Sequence, residues 1–251
     1  MRTKLDENAF TLIEILVVIS IVAILASLIF ATVGGMQERA AAAKCLSNMK
    51  SVVVASNLFA SDNDGKLPPL YTAKAIFPQQ AAESNPVAIG AGVLAWPDIL
   101  SLYGCEAAHV SCPALHKPAT PGDGGISSVR SSLGIGINFP SLASVWVTPA
   151  AFERQVRVGK PSKTVYFADA GGGPNSTGPF DKREDTPGRG STFFRGARDE
   201  GANVMPRHSG KANVVFVDGH ALAVDPNDID WGPRNPSFTD AVGWSDATAE
   251  R

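Results

Sequence analysis

Glu14 is the only charged side chain between Phe10 and Val33, in the run FTLIEILVVISIVAILASLIFATV. A carboxylate at depth in a membrane costs about 2.5–3.5 kcal/mol on insertion scales, so its presence asks for a cationic partner. A second set of groups able to do chemistry lies far along the chain: Asp169, His208, Asp218 and His220. Asp218 and His220 stand two apart, which puts side chains on one face of a strand, and these four residues define a metal-binding or enzymatic alternative. No nucleophile–base pair accompanies them, and a histidine just before a hairpin commonly hydrogen-bonds the turn. Gly171-Gly172-Gly173 lacks the Gly-Lys-Ser/Thr that a phosphate loop requires. Cys105 and Cys112, with His109 and His116, do not have the spacing of paired zinc ligands. Asp62-Asn63-Asp64-Gly65 opens like a calcium loop, but Ala73 occupies the twelfth position, where a Glu is needed. The residues therefore lead us to expect no catalytic group, no metal site and no cofactor.

The elements that position these residues begin with the apolar run itself. As a helix rising about 1.5 Å per residue it is about 36 Å long, enough for a hydrocarbon core of about 30 Å. Strands seldom exceed about 10 residues, so the Ile and Val content does not argue for one. A helix apolar on every face must be buried in lipid or among other helices. Residues 1–9 form a polar leader. Arg2 and Lys4 precede the run and Arg39, Lys44 and Lys50 follow it, a balance that does not fix orientation. The run is longer than the apolar core of a secretory signal, about 7–15 residues. Gly34-Gly35 marks a kink or the exit from the bilayer. From Gln37 to Ala60 a second helical stretch follows, with Cys45, Met49, Val52, Val53 and Phe59 on one face and Lys44, Asn48, Lys50, Ser51 and Asn57 mostly on the other. Asp62 to Gly65 stops it, and Pro68-Pro69 prevents its resumption.

Residues 66–160 are rich in Pro, Gly, Ser and Ala, with Val93–Trp96 and Ile99–Tyr103 suited to a short helix or turn. Lys163 to Ala168 reads as a strand, after which Asp169 opens a polar surface loop covering 171–191. Ala212–Val217 and His220–Val224 flank Asp218-Gly219, the pattern of a two-residue hairpin. The tail after Val224 carries no regular pattern. The chain of 251 residues suits one or two domains, and its net charge of −2 leaves no electrostatic footprint for nucleic acid. Charged residues make up 18% beside 24 Gly and 18 Pro, a composition that fits a β- and loop-rich extracytoplasmic domain. Three cysteines allow at most one bridge and one free thiol.

Ala9 followed by Phe10-Thr11-Leu12-Ile13-Glu14 resembles the start of type IV pilins and type II secretion pseudopilins. Relatives more often carry Gly where Ala9 stands, and many carry Pro at the position of Ala31. The resemblance implies that a prepilin peptidase cuts between Ala9 and Phe10, that the new amine of Phe10 is methylated, and that Glu14 meets the amino terminus of a neighbouring subunit. Cys45 to Lys50, Cys112-Pro113, and His208 followed after nine residues by Asp218-Gly219 resemble stretches of long prepilin-like proteins, the last being their carboxy-terminal His-x9-Asp-Gly signature. The implied fold is α+β, a long amino-terminal helix on a mainly antiparallel sheet with long loops. Its parts are a leader 1–9, an assembly helix 10–33 that crosses the membrane, the helix's second half 34–61, and a β-rich extracytoplasmic domain 62–251 ending in an irregular tail. The implied protein is a single-pass subunit of the inner membrane with its amino terminus cytoplasmic. Its implied partners are the peptidase, other pilin or pseudopilin subunits and an inner-membrane assembly platform, in a secretion pseudopilus or a pilus. A Cys105–Cys112 bridge would suit an oxidising periplasm. His208 is expected to pin the strand entry against the turn at Asp218-Gly219.

Overall fold

Thr11 caps the first element. Its Oγ1 accepts from the Glu14 amide at 3.3 Å, while the Glu14 carboxylate accepts from both the amide and the hydroxyl of Thr11 at 2.8 Å. This reciprocal capping box satisfies two groups that a helix start would otherwise leave unpaired. The computed structural model describes residues 11–79, 93–115, 133–139, 142–143, 155, 158–171, 191–194, 203–230 and 248–249. The leader and the Ala9–Phe10 junction, His116, and most of the 171–191 loop lie outside the described residues.

Helix α1 spans Leu12–Asp62 without interruption at Gly34-Gly35, so the two helical stretches read from the sequence are one helix. The structure nonetheless divides inside it, into Met1–Ala40 and Ala41–Arg251. In the first unit the described apolar side chains from Leu12 to Leu28 are at least half exposed nearly throughout. Among the described residues no helix is long and apolar enough to cross a membrane. The side chains described in the apolar part of α1 reach only to residue 28, because those of 29–34 are not described.

In the second unit the apolar face of α1 is buried as its spacing predicts: Cys45, Met49, Val52, Val53 and Phe59 all lie in the core. Asn48 departs from the expected polar face. It is buried, and its amide donates to the carbonyls of Ala108 and Ser111 at 3.0 and 3.1 Å. The helix stops at Asp62 as expected: Asp64 and Gly65 adopt positive φ, and the Gly65 amide returns to the Ala60 carbonyl at 2.7 Å.

A short antiparallel pair follows, β1 (Tyr71–Ala73) with β2 (Val93–Ala95), and then α2 (Trp96–Leu100). The main sheet has the order β5 (Phe193–Phe194), β3 (Ile135–Asn138), β4 (Val165–Gly171), β7 (Ala212–Phe216), β8 (Ala221–Val224), with β6 (Asn203–Val204) also paired to β4. Among the described residues β3 and β5 run parallel, and the other strand pairs of this sheet are antiparallel. The class is α+β. The tail is less irregular than its composition suggests, because β9 (Ile229–Asp230) pairs with β10 (Thr248–Ala249).

Apolar side chains cover both faces of this sheet, which is why β4 and β7 read as continuous apolar runs. Phe167, Val215 and Val217 pack with the buried face of α1, whereas Val165, Ala168, Ala170, Val214 and Phe216 form a second cluster with Phe194 and Val204. Close approach is built in with glycine. A Cβ on Gly136 would stand 2.5 Å from the Ala170 Cβ and 2.8 Å from the Phe193 backbone.

Candidate functional site

The two-residue period of β4 places Asp169 on the same face as Phe167, toward α1. The strand does not end at Ala168 as the sequence suggested; it runs on to Gly171, and Asp169 is wholly buried within it. One oxygen, Oδ1, accepts from the Cys45 thiol of α1 at 3.1 Å. The other, Oδ2, accepts from the Asn213 amide of β7 at 2.7 Å and lies 3.3 Å from Nε2 of His208.

A tight turn puts His208 there. Ser209 and Gly210 both have positive φ, and His208 and Lys211 exchange both backbone hydrogen bonds at 2.9 and 3.0 Å. Positive φ at both central residues defines a two-residue hairpin turn of the type that matches strand twist. Upstream, the Met205 amide donates to the Asp169 carbonyl at 2.8 Å, and Arg207 donates to the Gly134 and Ala170 carbonyls at 3.0 and 2.7 Å. The segment is thereby fastened alongside β4.

The fourth member is Cys112, whose Sγ is 3.5 Å from His208 Nε2. It follows the 3-10 turn Ala107–Val110, which Asn48 holds from α1. Gly134 allows its approach, since a Cβ there would meet the Cys112 Cβ at 2.4 Å. Cys45, Cys112, Asp169 and His208 thus come from four segments, all are buried, and one ligand atom from each lies within 4.8 Å of the others. Burial disfavours the charged imidazole of His208, but the neighbouring Asp169 carboxylate and Cys112 thiol outweigh it and raise the ring to about 10. The hydrogen bond with Cys45, opposed by burial and assisted by His208, lowers Cys112 to about 6. Cys45 is raised in turn, first by that same hydrogen bond and then by burial and the charge of Asp169. The His208 Nδ1 is buried with no hydrogen-bond partner among the described residues.

Two expectations are corrected by this arrangement. His208 does not pin the Asp218-Gly219 turn; it faces Asp169, while Asp218 pairs with His220. The second pair is part-exposed, and the His220 ring stacks on Phe216 at 4.1 Å between centroids. The hairpin itself holds three residues rather than two: Phe216 pairs with His220, the Gly219 amide returns to the Phe216 carbonyl, and positive φ falls on Gly219 but not Asp218. The structure does not join Cys105 to Cys112 either. All three cysteines are free, and Cys112 sits with Cys45. Cys45 was legible only as a core residue, and Asp169 as a loop opener and a member of the alternative set with His208, Asp218 and His220; an acidic residue after an apolar strand run was the available signal.

At the other end of the chain lies the exposed apolar helical segment headed by the Thr11–Glu14 box. Residues 5–30 match the family model described as Prokaryotic N-terminal methylation motif, and this match supports a type IV pilin- or pseudopilin-like protein. No curated protein and no solved structure matches the chain.

Proposed function

We propose that the chain is a structural subunit, not an enzyme, that is cut between Ala9 and Phe10, methylated on the Phe10 amine, and assembled through α1 into a secretion pseudopilus or a pilus. The observation that carries this reading is the methylation motif over residues 5–30 together with the exposed apolar side chains of the same helical segment among the described residues. Such a surface needs lipid before assembly and other subunits after it. In this reading the subunit waits in the inner membrane with its amino terminus cytoplasmic and its sheet domain periplasmic. The partners are then prepilin peptidase, further pilin-like subunits and an assembly platform. Glu14 supplies the carboxylate for the Phe10 amine of a neighbouring subunit.

Mass spectrometry of the membrane-extracted protein tests the first step. Loss of residues 1–9 with a methyl group on Phe10 is expected. An intact Met1 terminus in cells that possess the peptidase would overturn the assignment. The alternative of a tethered enzyme or metal-binding domain built on His208, Asp218 and His220 has less support, because His208 and the Asp218–His220 pair have different partners.

A further inference from the structure

We propose that Cys45, Cys112, Asp169 and His208 form a structural site for one tetrahedral divalent zinc-class ion. The donor set is two thiolates, one imidazole and one carboxylate, which suits Zn²⁺ rather than calcium or magnesium, the cations of all-oxygen sites. The distances also point there. With Zn–N and Zn–O of about 2.0–2.2 Å and Zn–S of about 2.3 Å, the edges of a tetrahedron are about 3.4 Å for N···O and about 3.6 Å for S···N. His208 Nε2 and Asp169 Oδ2 are 3.3 Å apart, and Cys112 Sγ and His208 Nε2 are 3.5 Å apart. A charge-assisted N–H···O bond would bring the first pair to about 2.7–2.9 Å. Cys45 Sγ donates to the other carboxylate oxygen, Asp169 Oδ1, at 3.1 Å, and its sulfur lies within 4.8 Å of the remaining ligand atoms, so the fourth donor stands beside the same centre.

The surroundings fit a closed site. Cys45, Cys112 and Asp169 are 0% exposed and His208 is 5% exposed, so four protein donors are present and water has little access. A site of four protein ligands is structural, whereas a catalytic one keeps a position open. The Asn213 amide on Asp169 Oδ2 fixes the carboxylate from outside the donor set. Binding needs both sulfurs as thiolates and His208 Nε2 free of its proton, so the protons these groups hold leave to solvent, and no redox step is involved. The bound ion would tie α1, the segment after Val110, β4 and the turn before β7 at one point. This inference does not depend on filament assembly, and its failure would leave the processing test unaffected.

The test uses the full chain in detergent, reduced and stripped of metal, then titrated with Co²⁺ and with Zn²⁺. One ion per chain is expected, with Co²⁺ giving the strong visible bands of a tetrahedral centre and a thiolate-to-cobalt charge-transfer band. Zn²⁺ should displace it and raise Tm. His208→Ala and Cys112→Ser should lose these bands, while Cys105→Ser and His220→Ala should keep them. His208→Cys replaces a nitrogen donor by sulfur and should strengthen the charge-transfer band, which is readable even where the removal variants fail to fold. Sub-stoichiometric metal, cobalt bands without thiolate character, or bands unchanged in Cys112→Ser would overturn the proposal. So would a Cys45–Cys112 disulfide in freshly isolated protein.

Discussion

Glu14 has two partners available to it in succession. In the free chain its carboxylate closes the capping box with Thr11, and in the proposed filament it faces a neighbour's Phe10 amine. In low dielectric that ion pair is strong, although desolvation offsets much of the gain. Glu14→Ala should still be cleaved and inserted, yet yield far fewer filaments by electron microscopy; filaments at wild-type abundance would refute the role. Cys105 illustrates burial acting on a single thiol. It is 3% exposed, and desolvation followed by the charge of Glu106 pushes it up to about 12. Because the folded value is raised, the stability it contributes is fully present below the unfolded value of about 8.5 and is lost as pH rises toward about 12. Cys105→Ala should therefore flatten the fall in unfolding free energy over that alkaline window, measured by denaturant titration. In the native protein at about pH 8, Cys105 should also resist alkylation.

Strand β3 is an element defined by what it lacks. Gly136 sits between Ile135 and Ile137, so one face of the strand carries bulk while the other admits Ala170 and the Phe193 backbone, and Gly134, just before the strand, leaves room for Cys112. Gly136→Ala would force backbone movement rather than a side-chain shift, and overpacking of this kind costs about 1–3 kcal/mol. A matching loss in urea-unfolding free energy is expected, and an unchanged midpoint would show that the sheet yields more easily than its spacing implies. Helix α1 shows the complementary economy. The same helix carries a capped, exposed apolar segment and, beyond Ala40, an amphipathic one whose Cys45-to-Phe59 stripe is buried. Asn48 belongs to that stripe because its amide satisfies two carbonyls of the Ala107–Val110 turn and its exit.

At the scale of the whole molecule, the chain joins a helical segment whose described apolar side chains are exposed to a domain that buries its own core. The full chain should remain in the membrane fraction after alkaline carbonate washing and be released by detergent; release by carbonate alone would contradict membrane insertion. The sequence by itself determined the features governed by neighbours along the chain. These are the apolar run with its single carboxylate, the stop at Asp62 to Gly65, the buried face of α1, and the strands on either side of Asp218-Gly219. Each depends on local dihedral preferences and on apolar period, which a window of ten or twenty residues contains. Only the tertiary structure decided the length of the hairpin loop, the burial of Asn48 and the continuation of β4 through Asp169. It alone assembled Cys45, Cys112, Asp169 and His208. Each contributes one donor from a separate segment, so no spacing along the chain announces the cluster. The face on which Asp169 emerges is set by strand register, and the place of His208 by the bonds of Met205 and Arg207 that fasten its segment beside β4, both of which depend on partners far away in sequence.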